Sequence, residues 1–229
     1  MSLKVKKSFK KYIPKIIFSI IGIALAACAI HVALWEKQYY AEKEGSERAV
    51  AVVGDLNVSE DVSEEEVTEQ QRTEYIVAAD KPRYLYIDKL GISKARIMEV
   101  GINAKGQMQT PRSIYDAGWY TGSKLPGNGG TMVVNGHNGA GAKGIFKELN
   151  KLTAGDLINV EMGDGKTYTY RVYENVEIKL ADADKKMAEM MTTPVSGEES
   201  LTIISCSGEY SLKQKTYLSR QFVRATLVN

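Results

Sequence analysis

Residues 157–179 read LINVEMGDGKTYTYRVYENVEIK, and the class of the fold turns on them. LINVE (residues 157–161) and TYTYRVYENVEIK (residues 167–179) are rich in β-branched and aromatic residues, with Gly163-Asp164-Gly165 between them. Such runs favour a pleated strand, and a glycine-flanked link supplies the backbone freedom that a tight turn requires. The spacing predicts a β-hairpin.

Outward from this hairpin, short strands recur. YLYI (84–87) and ARIMEV (95–100) come before it, with Gly91 and Gly101 as breaks, and TMVV (131–134) follows the turn-rich LPGNGG of 125–130. LTIIS (201–205) and RQFVRATLV (220–228) complete the set. Helical texture is confined to GIFKELNKL (144–152) and DADKKMAEMM (182–191), the second with Asp182 or Asp184 as a possible cap. Many short strands with few helices predict an all-β protein, a closed or nearly closed antiparallel barrel. No glycine-rich phosphate loop of the expected type appears, which disfavours nucleotide chemistry.

The 30 Lys and Arg nearly balance the 28 Asp and Glu, but the average hides three unlike segments. Residues 1–35 carry six Lys and no acid; residues 36–81 carry five basic and thirteen acidic side chains; residues 82–229 carry nineteen basic and fifteen acidic. With no large basic surplus in the part able to fold, a nucleic-acid binder is excluded. Twenty Gly, five Pro and two Cys likewise exclude collagen-like and disulfide-rich scaffolds.

Residues 1–15 form a basic segment ahead of the uncharged run IIFSIIGIALAACAIHVALW (16–35). At a helical rise of about 1.5 Å per residue, that run covers roughly 30 Å, the thickness of a bilayer's hydrocarbon core. It reads as a transmembrane signal anchor with a cytoplasmic N-terminus, since the lysines stay inside and everything after Trp35 lies outside. Leu25-Ala26-Ala27-Cys28 offers a rival, a lipoprotein box whose cleavage would leave a lipid on Cys28. The apolar run continues for seven residues beyond Cys28, which favours the anchor. Residues 36–81 read as an acidic extracellular spacer: SEDVSEEEVTE (59–69) has six acids in eleven residues and no core pattern, as expected of an extended tether.

Beyond the anchor there is one histidine, His137, and one cysteine, Cys206. A lone cysteine forms no intramolecular disulfide, and one Cys with one His does not complete a closed zinc site. An inert buried thiol, an intermolecular disulfide and a nucleophile all remain open. Cys206 follows the strand LTIIS, and His137 stands in the turn NGHNG just after TMVV. Two reactive side chains at the ends of β-elements can converge on one rim.

Several ordered motifs here resemble the sortases, the membrane-anchored cysteine transpeptidases of Gram-positive bacteria. LTIISC (201–206) is similar to their strand-and-cysteine motif, with Ile203 and Ser205 as conservative departures. RQFVRA (220–225) resembles their arginine strand, GWYTGSKLPGNGGTMVVNGHN (118–138) the approach to their histidine, and GIFKELNKLTAGDLINV (144–160) the helix and strand that follow it. The resemblance covers residues 82–229 and implies a catalytic eight-stranded sortase β-barrel.

It also implies a chemistry. Cys206 would attack a sorting signal such as Leu-Pro-x-Thr-Gly between Thr and Gly and form a thioacyl-enzyme. His137 would protonate the departing amine and deprotonate the incoming one, and Arg220 would donate to the oxyanion or hold the substrate backbone. Arg224, four residues on along the same strand face, is the alternative arginine. No Asp or Glu can be assigned to orient His137. The implied partners are LPxTG-like sorting-signal proteins, an amine acceptor (a peptidoglycan precursor or a pilin lysine) and the membrane itself. No nucleic acid, no resident metal and no required cofactor are expected, with calcium dependence left open. Residues 181–200, with Met187, Met190, Met191 and Pro194, form either an apolar wall for a Leu-Pro pair or part of the core. Two other readings stay open: a membrane-anchored cysteine peptidase releasing its product to water, and a non-catalytic tethered binding module.

Overall fold

The computed structural model describes residues 26, 28–34, 36–37 and 62–228 except 105, 140–143, 195–196 and 215. Among the residues of the expected anchor, 26 and 28–34 are helical and exposed, and much of the 16–35 span lies outside the described residues. No helix among the described residues is long and apolar enough to cross a membrane.

Eight strands close into a barrel: β1 (Pro82–Ile87), β2 (Ile92–Val100), β3 (Ala117–Tyr120), β4 (Gly130–Gly136), β5 (Leu157–Met162), β6 (Thr167–Lys179), β7 (Glu199–Ser211) and β8 (Thr216–Leu227). Their order around the barrel is β1-β2-β3-β4-β7-β8-β6-β5. The expected hairpin is present, with Leu157 opposite Arg171 and Glu161 opposite Thr167. The barrel is not purely antiparallel. β2 pairs with β3, and β4 with β7, in parallel. Parallel neighbours need long crossovers, and the chain supplies them in residues 101–116 and in the whole stretch between β4 and β7.

Alternation along the strands sorts side chains into two cores. Met132 and Val134 of β4, Leu201 and Ile203 of β7, and Val223 and Ala225 of β8 share the main cluster with Leu85, Ile97, Ile158 and Tyr170, and fill the barrel. The intervening residues Val133, Ile204 and Phe222 point the other way and meet Met187 and Met190 of a helix, α2 (Leu180–Met190). In β6, Tyr170 and Val172 belong to the barrel core while Ile178 belongs to the outer one. The register shift between Val172 and Glu174 accounts for this, because a one-residue bulge reverses the facing of all that follows.

α2 begins two residues before the expected run, with Lys179 as N-cap and no side-chain cap bond; Asp182 lies in its first turn instead. Its C-terminal carbonyls are gripped by the sheet below. Thr202 Oγ1 donates to Met190 O at 2.6 Å, and Arg224 Nη2 donates to Glu189 O at 3.0 Å and Thr192 O at 2.9 Å. The expected helix at 144–152 is reduced to turns and a 3-10 stretch, Leu149–Lys151.

Residues 62–81 depart from the expected loose tether, for they pack on the barrel. Val67 is buried, and a short helix, α1 (Glu69–Thr73), opens with a capping box between Thr68 and Gln71. Arg72 Nη1 donates to Lys94 O at 3.1 Å, Tyr75 Oη donates to Ile97 O at 2.6 Å, and Tyr84 Oη bonds Arg72 O. Gly163 at the β5–β6 turn makes room for this passage, since a Cβ there would collide with the Ala78 carbonyl. The acid-rich composition hid these contacts because they are made by main chain and by a few apolar and aromatic residues.

Candidate active site

Three adjacent strands carry the reactive residues in register. Successive rows across β4, β7, β8 and β6 are Val133–Thr202–Arg224–Glu174 and Asn135–Ile204–Phe222–Val176. The next row runs Cys206–Arg220–Ile178. Gly136 pairs with Ser205, so His137, one residue on, is level with Cys206 at the end of β4. Register partners in a sheet share a face, with neighbouring strands roughly 4.8 Å apart. His137, Cys206 and Arg220 therefore lie side by side on the outer face of the barrel, cysteine in the middle, at the edge of the cluster under α2.

Cys206 does not end its strand as the sequence suggested. β7 continues to Ser211, and the thiol sits within a ladder that pairs Ser207 with Ser219 beyond it. The hydroxyl of Ser205 donates to Gly136 O at 3.0 Å, tying β7 to β4 directly beside the pair. Cys206 is a free, half-buried thiol. Burial pushes its pKa above the ordinary value of 9.0, and the Arg220 guanidinium pulls in the opposite direction.

His137 is 8 % exposed, and its Nε2 lies 2.7 Å from the carbonyl oxygen of Pro111. A carbonyl only accepts, so Nε2 carries the proton and Nδ1 is left as the basic nitrogen. Burial lowers the pKa of His137 from 6.5, while the Pro111 bond raises it. This carbonyl is the orienting partner for which no carboxylate could be assigned. A backbone oxygen leaves no signature in sequence. Gly136 is also required here: a Cβ at that position would lie 2.6 Å from Phe146 Cδ2, and Phe146 N donates to His137 O at 3.0 Å.

Arg220 is fully buried. Its Nη1 donates to Tyr217 O and Ser219 O, both at 2.9 Å, and its Nη2 to Thr216 Oγ1 at 3.3 Å. Its Nε is buried without a hydrogen-bond partner. A buried donor left unmade costs about 1–3 kcal/mol. Arg224 shares the face but stands two rows away, opposite Thr202, and is committed to Glu174 at 3.0 Å and to the end of α2. The structure thus separates the two arginines, Arg220 beside the thiol and Arg224 beneath the helix.

Met187 and Met190 are buried in the outer core rather than displayed as a wall, and Pro194 is exposed. Residues 125–129 form a turn, as expected, the Gly127 and Gly129 amides donating to the Glu199 carboxylate at 2.9–3.1 Å. Two cavities of about 520 Å³ each are lined by none of His137, Cys206 and Arg220. Pro111, on the loop behind His137, lines the first. Among the described residues there is no group of three or more His, Cys, Asp or Glu able to hold a metal ion.

Residues 85–228 match the model of the sortase domain. The chain belongs to the sortase family. Among solved structures, this sortase is similar to a sortase D5 transpeptidase of Clostridium perfringens, with 20% identity, 71% of this chain and 90% of that chain covered, and a TM-score of 0.46. It is similar to sortase C1 of Streptococcus agalactiae, with 25% identity, coverages of 71% and 78%, and a TM-score of 0.49. The Pilus Island 1 sortase C2 of Group B Streptococcus shares the fold at 18% identity, with 85% of this chain and 97% of that chain covered and a TM-score of 0.50. No curated protein sequence matches significantly.

Proposed function

We propose that this sortase is a membrane-anchored cysteine transpeptidase. It cleaves an LPxTG-like sorting signal through a thioacyl on Cys206 and passes the acyl group to an amine, of a peptidoglycan precursor or a pilin lysine. The observation that carries this reading is the single row formed by His137, Cys206 and Arg220 across β4, β7 and β8. The thiolate of Cys206 attacks the Thr carbonyl carbon and the C–N bond to Gly breaks. His137 Nδ1 takes the Cys206 thiol proton as the thiolate forms, gives it to the leaving amine, and then takes one from the incoming amine. Arg220 supplies its spare donor to the oxygen that becomes negative, and its buried charge favours the thiolate. Residues 16–35 anchor the chain, with the catalytic domain outside the cell.

The full-length protein in detergent, incubated with fluorogenic Leu-Pro-x-Thr-Gly peptides, tests the proposal. Cleavage accelerated by an added amine, an amine-linked product, and loss of both in Cys206→Ala are expected. Cleavage indifferent to amine would instead make the protein a peptidase. Turnover that survives Cys206→Ala would end the cysteine mechanism, and no turnover or adduct with any peptide would leave a binding module.

A further inference from the structure

The segment ahead of the barrel reaches His137 through one loop. Ser63 forms a parallel bridge with Ser113: its N–H donates to Arg112 O at 2.8 Å, and its carbonyl accepts from Ile114 N at 3.0 Å. The other edge of the same loop is held by two side chains, one in β4 and one just after it. Asn135 Nδ2 donates to Gln109 O at 2.8 Å, and His137 Nε2 to Pro111 O at 2.7 Å. Residues 109–114 are thus clamped between the main chain of the preceding segment and alternate side chains of the strand that bears His137. No residue of 62–68 belongs to the eight strands, so the barrel closes without them. Ordering an acid-rich segment has an entropic cost, offset here by the Ser63 bridge, the buried Val67 and the start of α1.

We propose that docking of residues 62–68 onto the 111–114 loop is a positioning device for His137. The segment fixes the Pro111 carbonyl that retains the Nε2 proton, which keeps Nδ1 as the working base. This rests on the reading of His137 as the acid–base group, and it makes the membrane-proximal tether a determinant of rate as well as a spacer.

The direction of the effect follows from the groups around the ring. The ionisable side chains on the elements packed about His137 and its loop are Glu64, Glu65 and Glu66 on the docked segment, Arg112, Tyr115 and Asp116 on the loop, Lys147 just after Phe146, Cys206 on β7 and, one strand further, Arg220. Asp116 is bound bidentately by Arg96, at 2.9 and 2.7 Å. Burial and the Pro111 bond are what act on the imidazole, in opposite senses. Once the segment undocks, the loop loses two main-chain bonds and the carbonyl is free to drift. The imidazole then keeps its burial and loses the bond that favours its charged form, so its pKa falls further.

The test uses the full-length protein in detergent micelles. Ser63→Pro removes the N–H donated to Arg112 O, and Val67→Asp places a charge at the buried anchor and serves if the proline variant fails to fold. Gln70→Ala, on the exposed side of α1, is the control. The chain has two histidines, so histidine-selective ¹³C labelling gives two signals, and His31→Gln assigns them. Both segment variants should expose the Ile114 amide to faster exchange and lower the His137 titration midpoint. The acid limb of kcat/KM should follow, with kcat down roughly three- to tenfold and KM unchanged. Faster Ile114 exchange with an unmoved His137 titration would overturn the proposal, as would Ile114 protection that persists in both variants. A shifted titration in a protein that turns over no peptide would retain the positioning role of residues 62–68 and remove the transpeptidase.

Discussion

Replacing Arg220 with lysine separates two things the arginine supplies. The ammonium keeps a positive charge near Cys206, but it is a single point at the end of a flexible stem. In the native site Nη1 serves two carbonyls and Nη2 a hydroxyl, while Nε has no hydrogen-bond partner. Lysine can satisfy some of those acceptors, yet it cannot do so and still present a fixed, spare donor. We predict that Arg220→Lys lowers acylation kcat/KM by roughly 10²–10³, the effect of removing one oxyanion donor, about 3–4 kcal/mol. Loss of one or two buried bonds should also cost about 1–3 kcal/mol of stability, read as a fall in Tm of roughly 2–12 °C. Alkylation of Cys206 by iodoacetamide, which reports the thiolate alone, should change little because the charge remains. The decisive assay runs peptide acylation and alkylation side by side across pH. Acylation within tenfold of wild type would refute the donor argument. An equal fall in both rates would show that Arg220 acts only by ionising the thiol.

Two further outcomes follow from the same geometry. The pH profile of kcat/KM should be a broad bell: activity rises as His137 titrates, below its ordinary 6.5, and falls as Cys206 titrates, above its ordinary 9.0. A bell narrower than that interval would contradict the burial of both groups. Because both shifts widen the gap, the thiolate–imidazolium pair is a minor species, under roughly 1 % of molecules when the unperturbed values are taken as the limit. Arg224→Met should destabilise the end of α2 by about 2–4 kcal/mol through loss of the Glu189, Thr192 and Glu174 contacts. It should raise amide exchange in α2 and lower the urea midpoint, and leave the rate of Cys206 alkylation unchanged; an unaltered midpoint would refute the clamp.

The β-character of the chain was legible because the 157–179 hairpin, TMVV and LTIIS combine strand-forming residues with unmistakable turns. β3 was missed because AGWY is short and pairs at both edges, which periodicity does not register. The two parallel pairings were invisible for a related reason, since strand order is set by which faces must be buried. Cys206 and His137 stood out by rarity, and Arg220 by its motif. Their common row required the register of three strands, and Pro111 contributes only a carbonyl, which every residue has. Met187 and Met190 illustrate the opposite failure: their spacing fitted either an exposed wall or a buried stripe, and only the position of α2 on Ile204 and Phe222 decides for the stripe.

The parallel pairing of β4 with β7 has a consequence for when this protein becomes reactive. His137 and Cys206 are brought together by strands separated by the whole β5–β6–α2 excursion, and β7 must enter between β4 and β8. Contacts of such long sequence separation form late and slowly. Six strands precede the thiol in chain order, so it gains His137 and Arg220 as neighbours only when β7 and β8 join the sheet. Until the β7–β8 hairpin inserts, the cysteine is an ordinary thiol with no neighbouring cation. The His137–Cys206–Arg220 row is assembled by closure of the barrel itself, and a chain stopped one hairpin short carries all the strands of its scaffold except the two that complete that row.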